Sequence, residues 1–141
     1  MGLYSQQAKL ATYRSVSAHG AIADTDPHAL VLTVMDAALA RLGAARACTE
    51  RKETRRMAGL LHSSVILIAE LRGSLDLQKG GPLAQNLSDL YEYMTRRLMH
   101  ANLNSDATAV TEVLNLLGEI RGAWAAIAPQ VRQQPRLTSA A

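Results

Sequence analysis

From Met57 to Leu103, large apolar residues recur at steps of three and four, and a Gly80-Gly81-Pro82 corner breaks the run. Steps of three and four put side chains on one face of a helix with 3.6 residues per turn. Glycine ends helices readily, and proline suits a first helical position, where its missing N–H would be unpaired anyway. The pattern therefore predicts two helices folded back on each other. The first of the two presents Met57, Leu61, Ser64, Ile68, Leu71 and Leu75, and the second presents Leu83, Leu87, Leu90, Met94, Leu98 and Ala101.

Two more helices flank this pair. Asp26 can cap a helix that Pro27 opens, and Val31, Val34, Ala38, Leu42 and Ala45 then form one face as far as about Cys48. After the polar turn Asn104-Ser105-Asp106, the residues Val110, Val113, Leu117, Ile120, Trp124 and Ile127 repeat the spacing until Pro129 stops it. With no phenylalanine and one tryptophan, the core must be built from Leu, Ala, Val and Ile, a mix that favours helix. The expectation is an all-α antiparallel up-down four-helix bundle over residues 26–128. An N-terminal arm, 1–25, precedes it and a flexible tail, 129–141, follows. Ile68, Leu71, Leu90, Met94, Leu117 and Trp124 are the expected core.

The same sequence offers little to chemistry. The net charge is +3, and its densest basic stretch, Arg51, Lys52, Arg55 and Arg56, is interrupted by Glu50 and Glu53. That reads as a solvated helix start, so no nucleic-acid partner is expected. His19, His28, His62 and His100 are scattered, no two share a face at i, i+4, and no Glu-x-x-His pair exists. No metal, cofactor or catalytic residue is expected, and the chain does not read as an enzyme. Cys48 is the only cysteine and reads as a half-exposed, inert thiol at a helix end. The longest purely apolar run, Val65 to Ala69, falls far short of the roughly 20 residues of a membrane span. A cytoplasmic protein without membrane insertion follows.

More apolar surface is present than a bundle core needs. Val65, Ile66 and Leu67 widen the stripe of the second helix, and Tyr91, Leu103, Leu114 and Leu116 widen those of the third and fourth. Extended apolar patches mark interfaces. Three occupants remain open: the arm, through Tyr13 and Val16; a second copy, as a weak homodimer or a self-associating structural bundle; or a separate protein partner.

Three segments carry a resemblance: LRGSLDLQKGG (Leu71 to Gly81), NLSDLYEYMTRRLMHANLNSD (Asn86 to Asp106) and EVLNLLGEIRGAW (Glu112 to Trp124). In order and spacing they resemble the flagellin-specific export chaperones of the FliS family, and the likeness runs from about Asp26 to Ile127. Where the family usually has Met-Leu-Tyr-Asp-Gly-Ala, this chain has Thr33 to Ala38, with Met35 for the tyrosine and Ala37 for the glycine. The resemblance implies a cytoplasmic, ATP-independent holder of the disordered C-terminal segment of flagellin. Such a chaperone prevents premature polymerisation and delivers its client to type III secretion. It also implies that Tyr91, Tyr93, Arg97 and Asn102 join Tyr13, Val16, Ile66, Leu67, Leu103, Leu114 and Leu116 as partner-binding residues. An export-gate subunit or an anti-sigma factor is a further partner of the kind the family meets.

Overall fold

The computed structural model describes residues 26–127. Four helices follow one another: α1 Pro27–Glu50, α2 Thr54–Gly73, α3 Leu77–Asn104 and α4 Ala107–Ala126. The expected arm, 1–25, and tail, 129–141, lie outside the described residues. The chain divides into two compact units, one of residues 35–118 and one of the two chain ends. Unit 35–118 holds part of every helix, arranged antiparallel, up and down.

Local chemistry sets the helix ends. Asp26 Oδ1 accepts from the backbone N–H groups of His28 and Ala29, at 3.0 and 3.3 Å, so Asp26 caps α1 as its sequence position predicts. Asp106 does the same for α4, accepting from Thr108 and Ala109. The α1–α2 break has no glycine or proline to announce it. Lys52 makes it by adopting a left-handed conformation, φ 59°. The Glu53 N–H then reaches back to the Cys48 carbonyl and the Lys52 N–H to that of Thr49, the two bonds of a Schellman ending. Ser105, φ 49°, ends α3 likewise, with the Asp106 N–H bonded to the Ala101 carbonyl.

The corner differs from its expected form. α2 ends at Gly73, well before Gly80, and the Ser74 hydroxyl donates to the Leu71 carbonyl. Asp76 then caps a new helical turn by accepting from the Lys79 N–H. Gly81 interrupts that turn with φ 54° and ψ −136°, and Pro82 opens the long straight run of α3. Glycine and proline thus do break the chain here, but the polar Ser74 and Asp76 have already ended the preceding helix.

Inside unit 35–118, α1 contributes Met35, Ala38, Leu42, Ala45 and Cys48 to the interior. Met35, at the family's tyrosine position, is 2% exposed, and Cys48 is buried rather than half-exposed. By length and composition alone, α1 would be apolar enough to cross a membrane. Here one of its faces is spent on the bundle. α2 contributes Met57, Leu61, Ser64, Ile68 and Leu71, as its spacing predicts. α3 departs from expectation. Its inward residues are Ala84, Ser88, Tyr91, Met94, Leu98 and Ala101, while Leu83 is 70% and Leu90 37% exposed. Past the corner, small side chains take the inward positions, and Ser88 is held there because its hydroxyl accepts a hydrogen bond from Arg72. Leu90, expected in the core, yields its place to Tyr91. α4 buries Ala109, Val110, Val113 and Leu117.

In the unit of the chain ends, His28 stacks on Trp124 with ring centroids 4.7 Å apart. The Trp124 indole N–H donates to the His28 carbonyl at 3.0 Å, and His28 Nε2 lies 2.6 Å from the Trp124 carbonyl. Trp124, expected in the bundle core, is half-buried in this clasp.

Candidate functional site

The candidate surface is built on the outer faces of α2 and α3, which pack against each other. Their register is tied by Arg72: its Nε donates to Ser88 Oγ at 2.9 Å, and its Nη2 pairs with Glu92 at 3.1 Å. At ~1.5 Å of rise per residue, Ile66 lies about 9 Å before Arg72 on α2 and Met99 about 10 Å beyond Glu92 on α3. In an antiparallel pair the two therefore stand at one level. Leu103 is one turn farther along α3, level with about Leu61 and short of the start of α2 at Thr54. Ile66 is 41%, Met99 59% and Leu103 83% exposed. Half-buried Val65 lies on the inner side of the same strip.

A polar latch sits on the other side of α3, where α4 approaches. Glu112 accepts from the Tyr93 hydroxyl at 2.5 Å and from Arg97 Nε at 2.7 Å. The two bonds hold the Glu112 carboxyl below its ordinary range, the tyrosine contact being the larger cause. The same contact raises the Tyr93 hydroxyl above its ordinary value, and Arg97 is raised chiefly by its bond to Glu112. Leu116 lies one helical turn after Glu112 and is half-buried.

The structure therefore sorts the residues named from the sequence. Ile66 and Leu103 share the α2–α3 strip, and exposed Asn102 adjoins Leu103. Tyr93, Arg97 and Leu116 share the α3–α4 side. Leu67 and Leu114 are half-buried on other sides of their helices. Tyr91 is 3% exposed, and burial pushes its hydroxyl up to about 12; it supports the surface from within. Tyr13 and Val16 lie outside the described residues.

Met99 is offset from Leu103 by four, which places the two together on α3. One residue escaped the sequence reading of this site: Glu112 was not named as the shared partner of Tyr93 and Arg97. The turn at Ser105 is the signal for it, because folding α3 onto α4 there brings positions 97 and 112 opposite one another.

Known proteins resemble the chain over most of its length. The family description "Flagellar protein FliS" matches residues 9–131. The chain is 37% identical over 122 residues to flagellar secretion chaperone FliSB of Pseudomonas aeruginosa, covering 86% of this chain and 96% of that protein. It is 39% identical over 123 residues to flagellar secretion chaperone FliS of Salmonella typhimurium, covering 86% and 91%. With flagellar secretion chaperone FliS of Escherichia coli it shares 35% over 128 residues, covering 87% and 93%. With a family match over most of its length and relatives above 30% identity covered almost whole, the chain belongs to the FliS family of flagellar proteins.

Proposed function

We propose that this protein is a flagellar secretion chaperone that binds the disordered C-terminal segment of flagellin in the cytoplasm. It keeps flagellin from polymerising early and hands it to the export apparatus, where a gate subunit is the receiving partner. The observation that carries this reading is the α2–α3 strip: Ile66, Met99 and Leu103 stand exposed on a folded bundle of a secretion-chaperone family.

A disordered client loses conformational entropy as it orders, at a cost of about 2–5 kcal/mol or more, so it needs a long apolar contact. Amphipathic client stretches lay their apolar residues along grooves between helices. Ile66 and Leu103 take part on the α2–α3 side and Leu116 on the α3–α4 side, with Leu67 and Leu114 at the margins. Met99 adapts to the client through its unbranched, polarisable side chain. Tyr93, Arg97 and Asn102 supply polar contacts, and Tyr13 and Val16 of the arm compete for the surface when client is absent.

Light scattering of seeded flagellin tests the reading. One equivalent of the chaperone halts filament growth, and flagellin lacking its C-terminal segment is not held. Unchanged growth in the presence of folded protein sinks the proposal.

A further inference from the structure

One feature beside the strip is unexplained by folding. The first turn of α2 contains no acidic residue, and Glu53 at its N-cap makes no side-chain capping bond. Arg55 and Arg56 stand there instead, both exposed. A helix N-terminus carries partial positive charge and favours anions, so two cations in the first turn oppose the local field. Just before them, Lys52 occupies a left-handed position that glycine would fill at lower cost. Arg51 is engaged, though loosely, with Glu53 at 3.8 Å. Arg72 and Arg96 both pair with Glu92. Lys52 and Arg55 have no ion pair or side-chain hydrogen bond among the described residues.

Helical geometry gives Arg55 a position, and Lys52 lies in the turn just before it. Arg55, Gly59, His62 and Ile66 follow one another at steps of four and three on the outer side of α2. Leu103 stands across the groove on α3, level with Gly59 and His62 of this stripe, and Arg55 lies about 9 Å beyond it toward the start of α2. The groove thus carries apolar surface at Ile66, Met99 and Leu103 and positive charge beyond Leu103, where α2 begins.

We propose that the groove between α2 and α3 takes an acidic amphipathic helix of the client. Its apolar side meets Ile66, Met99 and Leu103, and its carboxylates lie against Arg55 and Lys52. The inference rests on the chaperone reading and adds to it the chemistry and placement of one client stretch. Client carboxylates would supply the negative charge that the first turn of α2 lacks, so cations unfavourable to the free bundle become favourable in the complex. Charge at the rim of an apolar contact also fixes which way the segment lies.

Titration calorimetry of the full chain against the C-terminal segment of flagellin tests this, using the double variant Lys52→Glu/Arg55→Glu. At about 50 mM salt the variant binds about tenfold or more weakly than the wild type, and the gap narrows at about 500 mM as screening grows. Arg55→Glu suits the first turn of α2 while Lys52→Glu opposes the C-terminal end of α1, so the variant melts close to the wild type. An equally stable chaperone that binds less well is not what a purely structural role gives. If the wild type binds and the variant matches it at every salt concentration, the charge inference is overturned and the chaperone reading stands. If the folded wild type does not bind, both fall.

Discussion

Glu112 on α4 accepts hydrogen bonds from two residues of α3 at once, Tyr93 through one carboxylate oxygen and Arg97 through the other. Its carboxyl is held below the ordinary 4.5, so the unfolded chain binds its proton more readily than the folded one. The latch's contribution is present above about pH 4.5 and is lost as pH falls through the folded value. Tyr93 is raised above 10.0, so its part is present below that pH and is lost as pH rises. Replacing Glu112→Gln lowers the melting temperature at neutral pH, and the difference from wild type shrinks as the solution is acidified below pH 4.5. Thermal melts across pH check this; a constant difference contradicts it.

The inward seam of α3 passes through Tyr91, Met94 and Leu98, with Leu90 outside it. Leu98→Ala therefore removes a fully buried side chain and costs about 2–5 kcal/mol in denaturant unfolding. Leu90→Ala, on the partly exposed side, costs far less, about 0.5–1 kcal/mol. Equal losses would place both leucines in the core and contradict the observed phase of the helix.

At the corner, the two glycines do different work. A Cβ on Gly80 would stand 2.6 Å from the Ala84 Cβ, which has no rotamer to escape into. Gly81 has open space around it but a positive φ with extended ψ that a side chain disfavours. Gly80→Ala and Gly81→Ala each destabilise by about 1–3 kcal/mol, the first by collision and the second by backbone strain. Chemical denaturation reads both, and a neutral Gly81→Ala would contradict the corner geometry.

Ser105 ends α3 in a left-handed conformation without the benefit of being glycine. Ser105→Gly removes the Cβ penalty there and stabilises by about 0.5–1 kcal/mol, less what glycine adds to the freedom of the unfolded chain. A loss of stability would contradict the assigned turn.

Most of the fold is legible in the sequence because periodicity and capping reinforce each other. Asp26-Pro27, the α2 seam from Met57 to Leu71 and the Asp106 cap are each where spacing predicts. The α3 seam is misread near the corner because the reading favours the largest apolar residues. The interior instead takes Ala84 and Ser88, whose small size and hydrogen bonding only packing reveals. The α1–α2 break is obscure because Lys52, a residue with no turn signal, adopts the left-handed conformation. Of the site, the apolar excess at Ile66 and Leu103 is visible as breadth of stripe. The Tyr93–Glu112–Arg97 latch depends on a contact between helices that no single-helix pattern contains.

The central claim is that the exposed strip of α2 and α3 receives the flagellin C-terminal segment. Its most direct test is calorimetry of that segment against wild type and Leu103→Asp at several temperatures, with circular dichroism to confirm folding. The account predicts one-to-one binding with a large negative heat-capacity change for the wild type, and about tenfold or greater loss for the variant at unchanged helicity. Wild-type affinity and heat capacity in a folded Leu103→Asp would contradict it.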